Sequence, residues 1–463
     1  MADHAVLAPM PSGHWLLGQL PERDRDPLGL FRRSQAELGD VVRYRMGPIH
    51  VEQLTHPDHV RHVLVEGKDG YRKGESWDKT KPLIGQGLAT SEGALWRQQR
   101  RLAQPAFHTE QLARLTVIMT DTIAAQLEQW ERAAADGREL LIFDEMREVA
   151  IKIVVRSLFG TDLDDQLRVI MDHFSAALQV TNQRILSPLP YRPWFYRLPT
   201  PANLAFAADV AALDAVVERI LGRREGSDPA GGHDLLDLLL EATRSEVGTV
   251  DRTQLRDEVM TLLLAGYETT ANAMSWAMDL LDDHPGVADA LAAEADHQLG
   301  GRAPTAADLA QLPNARAVIE EVLRLCPPIW ALPRVAVRDD EIDGFRIPRG
   351  DLVILVPYVT HRHPDFWADP DTFDPDRFSP ARRKSITRGA YFPFGLGQRQ
   401  CLGIHFALME AQLFLTMCAP RFRLTKITAG PLEPEPSVTL RPRGMLPMRV
   451  ELRQRQETSD SGH

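Results

Sequence analysis

Helical periodicity is the feature that most constrains the fold of this 463-residue chain. Apolar residues recur at helical spacing over most of residues 102–325, which predicts a long succession of helices. Strands and helices do not alternate along the chain, so an open parallel α/β sheet does not fit. The pattern predicts a mainly α fold with a smaller β portion that is built from both ends of the chain. The strand-like zones are 41–45, 50–54, 352–356 and 438–440.

The net charge excludes one large class of proteins. Lys and Arg total 53 against 64 Asp and Glu, which gives a formal charge of −11. A nucleic-acid-binding protein normally has a basic balance, so that role does not fit. The start of the chain has no signal-peptide pattern, and the apolar run at 259–266 is far shorter than the ~20 residues of a membrane span. We expect a cytoplasmic protein without a membrane anchor, with one domain over 1–463 and a disordered polar tail at 454–463.

The three cysteines, Cys326, Cys401 and Cys418, form no CxxC pair. Such an odd and sparse set argues against a disulfide framework and fits a reducing compartment. A lone cysteine is most often a small buried apolar residue, and we expect this of Cys326 and Cys418. At most one of the three is therefore expected to carry chemistry.

Cys401 has surroundings that suit a thiolate. Gly395 and Gly397 precede it, Gly403 follows it, and residues 404–417 have helical spacing. Unpaired N–H groups at the start of a helix stabilise negative sulfur. Glycines also let a flat ligand approach the backbone closely. The sequence therefore predicts that Cys401 lies on a tight loop that leads into a helix.

The same segment, FPFGLGQRQCLG, contains the pattern F-x-x-G-x-R-x-C-x-G. This pattern is highly specific, and it resembles the haem-binding loop of the cytochromes P-450. The resemblance implies a triangular prism of helices around a buried haem b, with Cys401 as the axial ligand of the iron. It also implies that Phe394, Gly395 and Gly403 bind the haem.

A second motif, AGYETT at 265–270, resembles the distal helix of the same family. The local pattern predicts a helix from a cap at Asp251 to about Asp283. Thr269 can bond back to the Ala265 carbonyl and open the helix locally. The resemblance implies that Glu268 and Thr269 deliver protons during oxygen activation. Helical spacing also puts a strip of small and apolar residues on one face, against which a haem could lie: Leu262, Ala265, Gly266, Thr269 and Ala273.

Two further motifs follow the family order. Glu321 and Arg324 are three residues apart on a predicted helix, and the resemblance implies a buried structural network that joins them to Arg377. The segment around Arg377 reads PDRF, with Asp376 where the family usually has Glu. The resemblance also assigns four residues to the haem propionates: Trp96, Arg100, Arg334 and Arg399. The alternative is that the arginines are merely solvated, as exposed arginines more often are.

The resemblance implies a monooxygenase that inserts one oxygen atom from O₂ into an apolar lipid, terpenoid, steroid or macrolide substrate. The chain has no spare length for a redox domain and no cysteine cluster, so we expect electrons from a ferredoxin or flavodoxin with its NAD(P)H-dependent reductase. We also expect a monomer. Several basic residues could dock that electron carrier, or they could simply form a solvated surface. They are Arg101, Arg382, Arg383, Lys384 and Arg388.

Two alternatives remain open. One is a peroxide-using or isomerase-type haem-thiolate enzyme, and the other is a non-catalytic haem-binding sensor; the Glu268–Thr269 pair favours the oxygenase over both. The aromatic segment at 185–204 is expected near a mobile lid. The residues expected in the substrate pocket, several of which could instead be core, are Trp77, Leu83, Ile84, Phe174, Leu178, Ile329, Trp330, Leu332 and Val438.

Overall fold

The computed structural model describes residues 6–160, 164–224, 234–247, 251–428 and 430–453. The tail expected at 454–463 lies outside these residues. The α-helices of the described ranges are α1 (Leu20–Arg25), α2 (Pro27–Leu38), α3 (Pro57–Arg61), α4 (Glu75–Asp78), α5 (Lys81–Ile84), α6 (Gly93–Ala103), α7 (Thr109–Ala135), α8 (Ile142–Phe159), α9 (Asp164–Leu186), α10 (Pro201–Arg224), α11 (Leu235–Val247), α12 (Arg252–Asp283), α13 (Pro285–Leu299), α14 (Pro313–Leu325), α15 (Pro357–Thr360) and α16 (Ile404–Cys418).

The long helix α12 lies at the centre of the helical part and packs against α8, α14, α10 and α16. Its start agrees with the prediction, because the Asp251 carboxylate accepts the N–H of Thr253 at 2.9 Å and caps the helix. Its end at Asp283 also agrees. Within the described ranges, none of the helices combines the length and the apolar composition that a membrane-spanning segment requires.

The main core lies between these helices. Trp130 of α7 is fully buried, and its ring packs edge-on against Phe414 of α16 with 5.9 Å between the ring centroids. The core therefore fixes α16, and with it the loop that precedes α16, against the rest of the helical part.

The strands come from both ends of the chain, as predicted. The five-stranded sheet has the order β1-β2-β8-β5-β3, in which β2 and β8 are parallel and the other pairs are antiparallel. A three-stranded sheet has the order β4-β12-β9, and β6-β7 and β10-β11 are hairpins. The strand bounds are β1 (Val41–Met46), β2 (Ile49–Leu54), β3 (Tyr71–Arg72), β4 (Glu139–Leu141), β5 (Leu332–Ala336), β6 (Asp340–Ile342), β7 (Phe345–Ile347), β8 (Leu352–Leu355), β9 (Phe422–Lys426), β10 (Pro434–Pro436), β11 (Leu440–Pro442) and β12 (Pro447–Leu452).

One predicted strand is displaced. The prediction placed a strand at 438–440, whereas β11 begins only at Leu440. The Ser437 N–H donates to the Thr439 carbonyl at 3.0 Å, so these residues form the tight turn of the β10–β11 hairpin. A turn and the strand after it carry similar apolar residues here, and the sequence pattern alone did not separate them.

Candidate functional site

The loop before α16 holds Cys401 in place by backbone hydrogen bonds. The Cys401 N–H donates to the Phe394 carbonyl at 2.9 Å, and the Gly395 N–H donates to the Phe392 carbonyl at 2.9 Å. Gly397 has a φ of 69°, and a Cβ there would overlap the carbonyl of Leu64, so the tight turn requires glycine. As predicted, Cys401 therefore lies on a constrained loop that leads into a helix.

The electrostatic surroundings of Cys401 have opposing effects on its charge. The residue is exposed to an internal cavity but lies deep below the surface, and this burial raises the pKa of the thiol. A hydrogen bond from the Gly403 N–H and the positive charge of Arg100 both lower that pKa. Arg100 is held beside the loop, where its Nη1 donates to the Gln400 carbonyl at 2.9 Å. A bound cation at the sulfur would complete the stabilisation of the thiolate.

The cavity of about 330 Å³ lies between the Cys401 loop and α12. Gly266 of α12 has no room for a side chain, because a Cβ there would lie 2.8 Å from Val154 Cγ2 on α8. The predicted strip on α12 forms one wall of the cavity, and its members are Leu262, Ala265, Gly266, Thr269 and Ala273. Phe394, Gly395 and Gly403 line the opposite side.

Thr269 and Glu268 have different positions relative to this cavity. The Thr269 hydroxyl donates to the Ala265 carbonyl at 2.7 Å, as predicted, but α12 is helical throughout, so the expected opening of the helix is not present. A carbonyl oxygen has two lone pairs, so it can accept this hydroxyl without losing its helical partner. Glu268 does not line the cavity, and its Oε1 instead accepts the hydroxyl of Thr439 at 2.7 Å.

Burial raises the pKa of the Glu268 carboxyl. The Thr439 hydrogen bond and the positive charges of Arg441 and Arg147 act in the opposite direction. The protonation state of the Glu268 carboxyl therefore depends on its burial and on Thr439, Arg441 and Arg147.

Four cationic side chains meet at one edge of the cavity. Arg334 and Arg399 each have a pKa lowered to about 10, mainly by burial. Burial and repulsion from these two arginines also hold the pKa of Lys73 well below its usual value. The fourth cationic side chain is Arg100, and burial lowers its pKa as well. Among the residues that the structure describes, no carboxylate forms an ion pair with any of the four, and Arg399 Nη1 is buried without a partner.

This arrangement fits haem. The Glu92 carboxylate acts on Lys73, Arg334 and Arg399 only from beyond ion-pair distance. Buried cations without a carboxylate at ion-pair distance are costly, and the two propionates of a haem would supply negative charge there. The cavity places a flat, apolar helix face opposite a thiol, which matches a planar macrocycle bound through sulfur. Trp96 is positioned at the same edge, with the Arg399 guanidinium 3.9 Å above its ring.

Sequence analysis missed Lys73 as a member of this cluster. Its Nζ donates to the Ala89 carbonyl and lies 4.2 Å over the ring of Trp77. In the sequence it stands between Arg72 and Gly74 just after a short strand, a context typical of an exposed surface residue. Only the tertiary structure turns it toward the cavity.

Arg399→Leu is expected to speed the loss of haem to an acceptor protein by roughly 10- to 100-fold. The reason is that a charge-assisted hydrogen bond is worth about 1.5–3 kcal/mol. Arg114→Leu, at an exposed position on α7, is the matched control and should leave the release rate unchanged. Equal release rates for the two variants would refute the propionate role of Arg399.

The structure brings Glu321, Arg324 and Arg377 together, and both Glu321 and Arg324 are fully buried. Arg324 donates from Nε and Nη2 to the two oxygens of Glu321, each at 2.7 Å. Arg377 Nε lies 3.4 Å from Glu321 Oε1 as an ion pair. The remaining N–H groups of Arg324 donate to the carbonyls of His361, Pro370 and Thr372.

His361 connects this network to the cysteine loop, and sequence analysis missed it. Its Nε2 accepts the Phe392 N–H at 2.9 Å, and its Nδ1 lies 3.2 Å from the Arg324 carbonyl. Burial and the charge of Arg324 lower the pKa of His361 to about 3, so the ring is neutral at physiological pH. A neutral ring can accept at one nitrogen and donate at the other.

The structure brings only some of the residues expected in the substrate pocket to the cavity. Phe174 is fully buried against Tyr267, and the Nε1 of Trp330 donates to the Ser437 carbonyl. Hydrophobicity marks these residues as inside the protein, but not on which side of an element the cavity lies. Trp77, Ile329 and Leu332 line the cavity. The others lie in or against the core: Leu83, Ile84, Phe174, Leu178, Trp330 and Val438.

The basic residues expected to dock an electron carrier are partly engaged within the protein. Arg383 donates to both oxygens of Glu320, and Arg382 donates to Asp374 and Asp376. These two arginines are therefore less available than the sequence suggested. A separate open groove contains Arg100, which bonds to the Gln400 carbonyl beside Cys401. It is lined by Trp96, Arg97, Arg100, Arg101, Gln104, Pro105 and His108.

Comparisons with known proteins agree with this geometry. The sequence model of the family "Cytochrome P450" matches residues 8–447. Cyclooctatin synthase of Streptomyces melanosporofaciens is 37% identical over 94% of each chain. Pentalenene oxygenase of Streptomyces avermitilis is 32% identical over 92% of this chain and 93% of its own.

Among solved structures, the cytochrome P450DA heme domain has a TM-score of 0.87 and 28% identity, covering 97% of this chain and 98% of its own. The cysteine loop, the α12 wall and the cation cluster thus occur in a chain that matches the family over nearly its whole length. The chain belongs to the cytochrome P450 family, and it is a P450 monooxygenase with a haem cofactor.

Proposed function

We propose that this protein uses O₂ to hydroxylate or epoxidise an apolar terpenoid, with haem b as its cofactor. The observation that carries the proposal is the cavity itself, because Cys401 lies on one side and Thr269 of α12 on the other, with mainly apolar residues between them. Haem bound there would supply the activation of O₂, since a thiolate ligand favours O–O cleavage.

The protein's part is to hold the cofactor, exclude water and move protons. Cys401 would bind the iron, while Trp96, Arg100, Arg334 and Arg399, joined by Lys73, would hold the propionates. Thr269 faces the cavity and holds a proton at its hydroxyl. Glu268, the residue before it, is the acid that resupplies that proton from outside the cavity.

The substrate class is argued from the lining and from the relatives. Trp77, Ile329 and Leu332 offer apolar surface, which suits a substrate with few polar groups. One relative is named pentalenene oxygenase. Another, which is 37% identical to this chain, is named cyclooctat-9-en-7-ol 5-monooxygenase. A polycyclic terpene or its alcohol is therefore the substrate that we propose.

We propose that the electrons come from a ferredoxin or flavodoxin with its NAD(P)H-dependent reductase. We also propose that the enzyme is a monomer and that it acts in the cytoplasm. The groove lined by Arg97 and Arg100 supports the first of these proposals, because it is open, basic and next to the Cys401 loop. An acidic carrier would approach this groove with favourable electrostatics.

The substrate is tested by a screen of polycyclic terpenes and their alcohols for a shift of the haem Soret band. A hit is then turned over with ¹⁸O₂, a ferredoxin and its reductase, and the product is analysed by mass spectrometry. One ¹⁸O atom per product is expected. Product formed from hydrogen peroxide alone, with none from O₂ and the reductase, would instead support the peroxide-using alternative.

Thr269→Ala is expected to keep the haem but to divert electrons from product to hydrogen peroxide, because the hydroxyl that passes on protons is gone. The measurement is the ratio of product formed to NAD(P)H consumed. Ser275→Ala is a matched control, because its hydroxyl makes the same back-bond on α12, to the Ala271 carbonyl at 2.8 Å. An unchanged ratio in Thr269→Ala would remove Thr269 from the proton route.

A further inference from the structure

We infer that Thr439, on the turn of the β10–β11 hairpin, is a positioning residue that holds the Glu268 carboxyl for proton delivery to Thr269. The inference rests on the proposed function and deepens it, because it names what fixes the acid in place. Thr439 itself does not line the cavity.

Hydrogen bonding fixes the direction of the Thr439 hydroxyl. Its oxygen accepts the Nδ2 N–H of Asn272 at 3.0 Å and donates to Glu268 Oε1 at 2.7 Å. A hydroxyl has only one proton to donate, and Asn272 offers a donor, so that proton goes to Glu268. Thr439 is 5% exposed and Asn272 is fully buried, so the hydroxyl and the amide that donate these bonds are shielded from water.

The turn that carries Thr439 is itself anchored to the walls of the site. The Leu440 N–H donates to the Pro328 carbonyl at 2.8 Å, and the Nε1 of Trp276 on α12 donates to the Leu440 carbonyl at 3.3 Å. Pro328 lines the cavity. Thr439 is thus held rigidly between α12 and the cavity wall, as a residue that positions another must be.

Thr439 makes the one side-chain hydrogen bond that the described residues give to the Glu268 carboxylate. The other charged or titratable groups that act on Glu268 do so without a direct bond: Arg441 of the hairpin, Arg147 of α8 and the neighbouring Tyr267. Without the hydroxyl, the carboxyl would lose both its orientation and a bond that favours its ionised form. A misplaced acid delivers protons poorly even when its chemistry is intact.

The test uses the haem-loaded protein and two variants of Thr439. Thr439→Val keeps the shape and removes the hydroxyl, whereas Thr439→Ser keeps the hydroxyl. Infrared spectroscopy follows the protonated Glu268 carboxyl against pH, and the band is identified by its loss in Glu268→Gln. We expect the titration midpoint to rise by about one to two pH units in Thr439→Val, the value of one hydrogen bond to a charged group.

In parallel, the fraction of electrons that reach product should fall in Thr439→Val to the level of Glu268→Gln. Thr439→Ser should restore both readouts, and Ser275→Ala, which removes a buried α12 hydroxyl elsewhere, should move neither. If Glu268→Gln diverts electrons but Thr439→Val changes neither readout, the inference is overturned and the proposed function stands. If Glu268→Gln also leaves the electron yield unchanged, the proposed proton route fails and the inference fails with it.

Discussion

Replacing Arg324 with alanine is expected to lower the free energy of unfolding by about 3–5 kcal/mol, which is the usual effect of removing one partner of a buried ion pair. The variant would leave the fully buried Glu321 with only the Asp374 N–H at 2.9 Å and the more distant Arg377. It would also leave three backbone carbonyls without their donor. Urea unfolding of the haem-loaded protein, followed by circular dichroism, measures the loss.

Arg33→Ala is the control for this prediction. Arg33 also contacts two carboxylates, Glu22 at 2.7 Å and Asp26 at 2.9 Å, but its side chain is 51% exposed. An exposed arginine of this kind contributes less than about 1 kcal/mol. If both variants lost the same stability, the buried network would have no special role.

Glu268→Gln is expected to lower product formation by roughly 100-fold or more, since a positioned proton donor typically contributes 10²–10⁴-fold. Glutamine keeps the size of the side chain and can still contact Thr439, but it cannot release a proton. The measurement is the rate of product formation with saturating reductase in H₂O and D₂O. A larger solvent isotope effect in the variant would place the slow step in proton transfer.

Glu258→Gln tests whether the loss of any carboxyl group on α12 would have this effect. Glu258 is 7% exposed, accepts the Leu88 N–H at 3.0 Å, and has a pKa raised to about 7 by burial. It is not assigned to proton delivery, so its rate should stay close to that of the unaltered protein. Equal losses in the two variants would argue against a specific route through Glu268.

Features governed by local rules could be predicted from the sequence. The Asp251 cap, the end of α12 at Asp283, the helix that starts at Ile404 and the back-bond of Thr269 each depend on residues within one or two helical turns. The structure contains all four. Three strands of the main sheet, β1, β2 and β8, were also located, whereas β3 and β5 were not predicted.

Features that depend on distant contacts could not be predicted. Glu268 and Thr439 are 171 positions apart, so nothing in the local sequence pairs them. Lys73 becomes part of the site only when Arg334 and Arg399 are brought beside it. Phe174 illustrates the converse case, because apolar character predicts burial but does not separate the core from the wall of a cavity.

We propose that Cys401 binds the iron as a thiolate. The most direct test is the absorption spectrum of the reduced, haem-loaded protein with carbon monoxide, recorded beside Cys401→His. The unaltered protein should give the red-shifted Soret band of a thiolate ligand, and Cys401→His should bind haem without giving that band. A correctly folded, haem-loaded protein that lacks the shifted band, or a Cys401→His variant that keeps it, would contradict the claim.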